Sequence, residues 1–136
     1  MIITAYGDGS GKNGQGTGAA SFIIVKDNIV IHQHTDLLQG PTNNVAEYTS
    51  LLNALKYCIA EGYDTITFCS DSELVVKQLN REYQTTNPKM RELRDLFVKT
   101  INEANMGAIV KWVPRTNIYV QLADHLNRLA VSRAIK

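Results

Sequence analysis

Four carboxylates could work together in this chain: Asp8, Glu47, Asp71 and Asp124. Asp8 and Asp71 each follow a segment that reads as a strand, and in open α/β sheets ligands gather at the carboxyl ends of strands. Each also has a plain alternative, a turn residue for Asp8 and a helix cap for Asp71. Glu47 is harder to set aside. Steps of four lead from it to Leu51 and Leu55, and three more to Cys58, so it shares the helical stripe that faces the sheet. A carboxylate buried there without a partner costs on the order of several kcal/mol. An arginine, a lysine or a divalent cation would relieve that cost, as would a half-exposed position at the helix N-terminus. Asp124 falls in the first turn expected of the last helix, where the helix dipole alone would favour it.

Taken together, the four would repel one another and resist ionising as a group. Two divalent cations supply the opposite charge, and an all-oxygen ligand set favours magnesium or manganese over zinc. Two such ions roughly 4 Å apart suit in-line phosphoryl transfer from water, one activating the attacking water and the other stabilising the leaving 3′ oxygen.

The elements that must position these groups follow from periodicity and turn chemistry. Residues 1–7 read as a strand ending at the turn-like Gly7-Asp8-Gly9-Ser10, followed by a glycine-rich loop. Residues 19–25 and 29–35 read as two strands joined by the Lys26-Asp27-Asn28 hairpin, and residues 37–41 as a loop broken at Gly40-Pro41. Residues 43–61 predict a helix stopped by Gly62, and residues 65–70 a fourth strand. Helices are expected over 72–80, 89–105 and 121–135, with a fifth strand over 108–113 between the last two. The apolar stripe of the last helix is expected at Leu122, Leu126, Leu129 and Ala130. The order βββαβααβα implies an antiparallel hairpin region followed by parallel strands, an α/β architecture.

The 136 residues fit a single domain, 1–136, with 44% hydrophobic and 20% charged residues. No apolar run approaches the ~18–20 residues of a membrane span, and no secretory signal precedes the first strand, so no membrane partner and a cytoplasmic location are expected. Cys58 and Cys69 sit in apolar patterns and read as buried small hydrophobes, not a disulfide framework. Net charge is +1, but unevenly spread. Residues 1–76 hold three basic and eight acidic side chains, whereas residues 77–136 hold eleven and five. An acidic site on one part and an anion-facing surface on the other would produce that split.

At this point the residues resemble the ribonuclease H superfamily, type 1 branch, over nearly the whole chain. Asp8-Gly9-Ser10 is similar to its first motif and Thr42-Asn43-Asn44-Val45-Ala46-Glu47-Tyr48 to its second. The segment from Ser70-Asp71-Ser72-Glu73 to Asn80 resembles the third. Trp112-Val113-Pro114-Arg115 followed by Leu122-Ala123-Asp124-His125-Leu126 resembles the fourth. The resemblance implies a mixed five-stranded sheet of order 3-2-1-4-5 flanked by helices. It also implies endonucleolytic cleavage of the RNA strand of RNA–DNA hybrids, leaving 5′-phosphate and 3′-hydroxyl ends. Ligation of two Mg2+ ions, with Mn2+ as a substitute, is implied for Asp8, Glu47, Asp71 and Asp124. Gly9, Ser10, Gly11, Asn43 and Asn44 are implied to approach the RNA, where small and amide groups can read 2′-hydroxyls in a wide, shallow groove. Thr42 and Asn13 resemble residues that bind a DNA phosphate. Asn43 or Asn44 could equally cap the helix.

Four departures from that family's pattern stand out. No histidine lies between Pro114 and Gln121, leaving Arg115 or Tyr119 as the nearest substitutes; His125 reads as a surface or packing residue, and His32 and His34 as structural or exposed. Asn117 precedes Asp124 by seven residues, a longer gap than the family shows. Glu73 stands where a glutamine often contacts RNA. The basic handle inserted in some members is missing, with Arg81, Lys89, Arg91, Arg94 and Lys99 as its nearest replacement. The chain opens on the first strand, so no separate hybrid-binding domain is expected before it. A monomer is expected, acting on hybrids, with double-stranded RNA as a second candidate substrate. The alternatives are a non-catalytic nucleic-acid-binding module of the same fold, or another nuclease of the superfamily such as a junction resolvase or an exonuclease.

Overall fold

The computed structural model describes residues 2–12 and 14–134. Its elements run β1 (Ile3–Lys12), β2 (Gln15–Lys26), β3 (Ile29–Gln39), α1 (Asn43–Ala60), β4 (Thr65–Ser70), α2 (Glu73–Leu79), α3 (Pro88–Glu103), β5 (Gly107–Trp112) and α4 (Ile118–Ala134). The sheet order is β3-β2-β1-β4-β5, as expected. β1, β2 and β3 pair antiparallel, and β4 runs parallel to both β1 and β5. The β2–β3 turn places Asp27 and Asn28 at φ 52° and 63°, the two left-handed residues that a tight hairpin needs.

Strand alternation sorts side chains between two helical layers. On one face Ile3, Ala5, Phe22, Ile24, Ile66 and Phe68 meet α1 and α3 through Leu51, Leu55 and Phe97, all buried. On the other, Ile23 and Val25 meet Ala123 of α4, flanked by Tyr6, Tyr119, Leu122 and Leu126. Cys58 and Cys69 are both buried, and burial pushes their thiols up to about 12 and about 11, so they are inert packing groups. Among the described residues, no helix is long and apolar enough to cross a membrane.

Several boundaries differ from the sequence expectation. β1 does not stop at Gly7 but continues through Asp8-Gly9-Ser10 to Lys12, and the glycine-rich stretch is the hairpin into β2. Gly14 and Gly16, at φ 82° and 64°, serve that turn, whereas Gly9 and Gly11 are there for closeness. A Cβ on Gly9 would lie 2.2 Å from the Ala46 carbonyl carbon and one on Gly11 2.4 Å from the Pro41 carbonyl oxygen, so α1 rests directly on the β1 backbone. Residues 37–39 belong to β3 rather than to a loop. Last, α4 begins at Ile118, three residues earlier than expected, because Asn117 Oδ1 accepts from Tyr119 N (2.9 Å) and Val120 N (3.2 Å) and caps it. Its buried stripe is accordingly Val120, Ala123 and Asn127, with Leu129 exposed.

Candidate active site

The parallel pairing of β1 with β4 ends at Gly7 opposite Ser70. Asp8 is the next residue along β1 and Asp71 the next after β4, so both stand at the carboxyl end of the parallel pair. Glu47 reaches the same place from the first turns of α1. It is only 8% exposed and shares its stripe with Leu51, Leu55 and Cys58, all buried. One carboxylate oxygen from each of Asp8, Glu47 and Asp71 lies within 4.8 Å of the others. The bland alternatives do not hold for these residues. Asp8 is in a strand, and Ser72, not Asp71, caps α2 by accepting from Val75 N at 3.3 Å.

Burial and mutual repulsion dominate the electrostatics here. The Asp8 carboxyl is pushed up to about 7, first by burial, then by the Asp71 and Asp124 charges, against hydrogen bonds from Asn127 and Glu47 that lower it. Glu47 is raised well above the usual carboxylate range by burial and then by Asp8 and Asp71, with the Gly9 N–H opposing. Ser70 Oγ donates to Glu47 Oε2 at 3.4 Å. Among the described residues neither Asp8 nor Glu47 has a cationic side chain as partner; Arg115, 92% exposed, reaches only Asp71, with Nε 3.4 Å from Oδ2. Buried carboxylates without a protein counter-charge, all offering oxygen, fit a hard divalent cation.

These groups line a cleft of about 390 Å3 together with Gly9, Ser10, Asn43, Arg115, Val120, Gln121, Asp124 and Arg128. Asp124 therefore shares the cleft but not the three-carboxylate group. Its side chain is 41% exposed and pairs with Arg128 Nη2 at 2.9 Å. It lies in the second turn of α4, so the dipole argument for its position weakens.

The remaining expected residues scatter. Thr42 is the cap of α1, accepting from Val45 N at 3.2 Å, so neither Asn43 nor Asn44 caps it. Asn43 Oδ1 accepts from Gly11 N at 2.8 Å, which ties α1 to β1 and leaves the Asn43 amide hydrogens at the cleft without a partner among the described residues. Thr42 lines a separate groove with Pro41, Asn87 and Lys89. Glu73 pairs with Lys77 at 2.9 Å and faces a groove beside Trp112, outside the carboxylate cleft. Asn13 lies outside the described residues. Neither substitute for the loop histidine is equal: Tyr119 packs on Tyr6 and donates to Asn28 O (3.3 Å), so only Arg115 is at the cleft. Asn117 is consumed by capping, and His125 is exposed. Three of the five residues of the basic run line a groove of about 630 Å3, where Arg81, Arg94 and Lys99 are matched by Glu82, Asp95 and Glu103.

Sequence reasoning missed Asn127. It is fully buried on α4 and touches Asp8. The available signal was a polar residue four and seven positions along from Ala123 and Val120, on the face that turns out to be apolar.

Comparison with known proteins agrees with this geometry. The family model described as reverse transcriptase-like matches residues 6–130. Ribonuclease HI of Halobacterium salinarum is 34% identical over 93 residues, 68% of this chain and 47% of the relative. The chain thus spans about half the length of that curated relative. The crystal structure of RNase H1 from Halobacterium salinarum NRC-1 superposes with a TM-score of 0.89 at 28% identity, covering 98% of this chain and 99% of that one. LC11-RNase H1, solved in complex with an RNA/DNA hybrid, has the same fold, with a TM-score of 0.89 at 24% identity over 98% and 99% of the two chains.

Proposed function

The chain belongs to the reverse transcriptase-like family with the ribonuclease H fold, and from that premise we propose that it is a single-domain, metal-dependent endoribonuclease. Its substrate is the RNA strand of an RNA–DNA hybrid, and its products carry 5′-phosphate and 3′-hydroxyl ends. The observation that supports this best is the group of two buried carboxylates, Asp8 and Glu47, without a cationic partner among the described residues, and the partly buried Asp71, at the carboxyl end of the β1–β4 parallel pairing. The ribonuclease HI relative and the solved hybrid complex of a protein of like fold support the choice of substrate.

Asp8, Glu47 and Asp71 would hold divalent cations, with Asp124 completing the ligand set from the far wall of the cleft. Two Mg2+ ions, replaceable by Mn2+, would supply charge neutralisation at the phosphate, activation of a water and stabilisation of the leaving oxygen. The chain's own contribution is placement. Gly9 and Ser10 present a wall with little side-chain bulk, against which a sugar-phosphate backbone can lie. The Asn43 amide, its carbonyl committed to Gly11, has donors left for a 2′-hydroxyl, the group that distinguishes RNA from DNA. Arg115 stands at the mouth, where a mobile guanidinium can meet a phosphate. Thr42 on the neighbouring groove suits the other strand. A cytoplasmic, monomeric protein is the accompanying reading.

Incubating wild type and Asp71→Asn with end-labelled RNA–DNA hybrid, double-stranded RNA and four-way junction DNA, with Mg2+, tests this. Hybrid cleavage at internal positions by wild type alone is expected. No cleavage by either protein would sink the catalytic reading, and preference for the junction would replace the substrate.

A further inference from the structure

We propose that Asn127 is a positioning residue that fixes the Asp8 carboxylate for cation binding, and that Ser21 and Thr35 set the direction of its amide. The inference rests on the metal-dependent reading of the cleft. Asn127 is 0% exposed, and both ends of its amide are engaged. Nδ2 donates to the Asp8 carbonyl oxygen at 3.1 Å and to Asp8 Oδ2 at 3.3 Å, while Oδ1 accepts from Ser21 Oγ at 2.6 Å. Ser21 is the cross-strand partner of Asp8 in the β1–β2 ladder, and its hydroxyl also lies 2.7 Å from Thr35 Oγ1 on β3.

The polarity of this chain of groups follows from donor counting. The Asp8 carbonyl and ionised carboxylate can only accept, so the Asn127 amide must turn its NH2 towards them. Oδ1 then faces Ser21, whose single hydrogen is spent on it. Thr35 must therefore donate to Ser21 Oγ. Every hydrogen bond from β3 inwards points at Asp8, an arrangement in which each bond polarises the next. Reversing the amide would set an acceptor against two acceptors, so the ionised form of Asp8 and one amide orientation select each other.

The chemical type of the donor matters as much as its place. A lysine or arginine here would stabilise the carboxylate but would also occupy the charge that a divalent cation needs. A neutral amide grips Oδ2 from the α4 side, adds no charge to the Asp8, Glu47 and Asp71 group, and leaves the other Asp8 oxygen uncommitted to Asn127. Partners that orient a metal-ligating carboxylate through a hydrogen bond are worth roughly 10–100-fold in metal affinity.

Calorimetric titration of the metal-free protein with Mn2+, alongside thermal unfolding, tests this on wild type, Asn127→Ala, Ser21→Ala and Leu122→Ala. Asn127→Ala is expected to weaken Mn2+ binding roughly 10-fold or more, and Ser21→Ala to weaken it less but in the same direction. Leu122→Ala, which thins the same α4 packing without touching the hydrogen-bonded chain, is expected to lower the melting temperature and leave Mn2+ affinity unchanged. If Asn127→Ala does not fold, Ser21→Ala decides. Wild-type affinity in the folded variants, or an equal loss in Leu122→Ala, overturns the inference while leaving the metal-dependent reading intact. A wild type that binds no Mn2+ overturns both.

Discussion

Replacing Asp8 by asparagine is expected to stabilise the metal-free protein while abolishing hybrid cleavage. Asp8 is 6% exposed, and its carboxyl is raised from an ordinary 3.8 to about 7. The folded state thus holds the proton more tightly than the unfolded chain. Below the unfolded value this group costs nothing; the cost builds as pH rises from the unfolded to the folded value and levels off above it, at about 4 kcal/mol by pH 7.5. Asparagine removes that charge, and the pull of the Asn127 hydrogen bond on the carboxyl is already contained in the value of about 7. The expected gain at pH 7.5 is therefore up to about 4 kcal/mol, or roughly 12–16 °C in melting temperature for a domain of this size. At pH 5, where the buried carboxyl is still protonated, the gain shrinks to about 2 kcal/mol. Thermal unfolding of both proteins in a chelating buffer at pH 7.5 and pH 5 reads this directly. Saturating Mg2+ should stabilise wild type more than the variant, because only the native state of wild type offers the full ligand set. A variant no more stable than wild type at pH 7.5 without metal, or a gain that does not change with pH, would refute the reasoning.

Three further outcomes are expected. Gly9→Ala puts a methyl 2.2 Å from the Ala46 carbonyl carbon and 2.4 Å from Glu47 N; with only backbone to yield, it should cost about 3 kcal/mol or more by denaturant titration and lower cleavage by moving Glu47. Arg115→Ala, at a side chain 92% exposed, should leave the melting temperature unchanged, raise KM for the hybrid more than it lowers kcat, and flatten the salt dependence of binding by about one counterion. Asp124→Asn breaks only an exposed pair with Arg128, so stability should change by less than about 1 kcal/mol. Cleavage should fall while calorimetry still detects Mn2+ at the Asp8–Glu47–Asp71 group, and complete loss of Mn2+ binding would contradict the separation drawn between them.

The positions of Asp8, Glu47 and Asp71 were legible because each lies close to a change of periodicity: the turn-like glycines after residues 1–7, the N-terminal part of a helix, the end of a strand. Glu47 stood out further as a charge on an apolar stripe, and its burial follows from that placement. What could not be read depended on contacts between distant segments. Glycine is rare in strands, so Gly9 and Gly11 suggested a loop, and only the seating of α1 on β1 explains why a strand would contain them. The start of α4 was hidden because Ile118 and Val120 are β-branched and follow a proline turn, while the deciding group was the Asn117 side chain. That shift of three residues moved Asp124 from the first turn to the second and brought Val120 into the buried stripe; Asn127 escaped notice because the stripe was expected through Leu122, Leu126 and Leu129 rather than through Ala123 and Asn127.

The direct seating of α1 on β1 has a consequence for how this molecule can vary. Asp8 belongs to one of those elements and Glu47 to the other, and their separation is set where main chain meets main chain at Gly9 and Gly11. No apolar side chain acts as a spacer in that contact. The large residues farther from that contact, Leu55, Phe68 and Phe97, can therefore be exchanged for others of similar volume, with stability rising or falling, while the gap between the two acids stays the same. Drift in the interior and tuning of the acidic pair are mechanically uncoupled, so the one can proceed over many substitutions without disturbing the other.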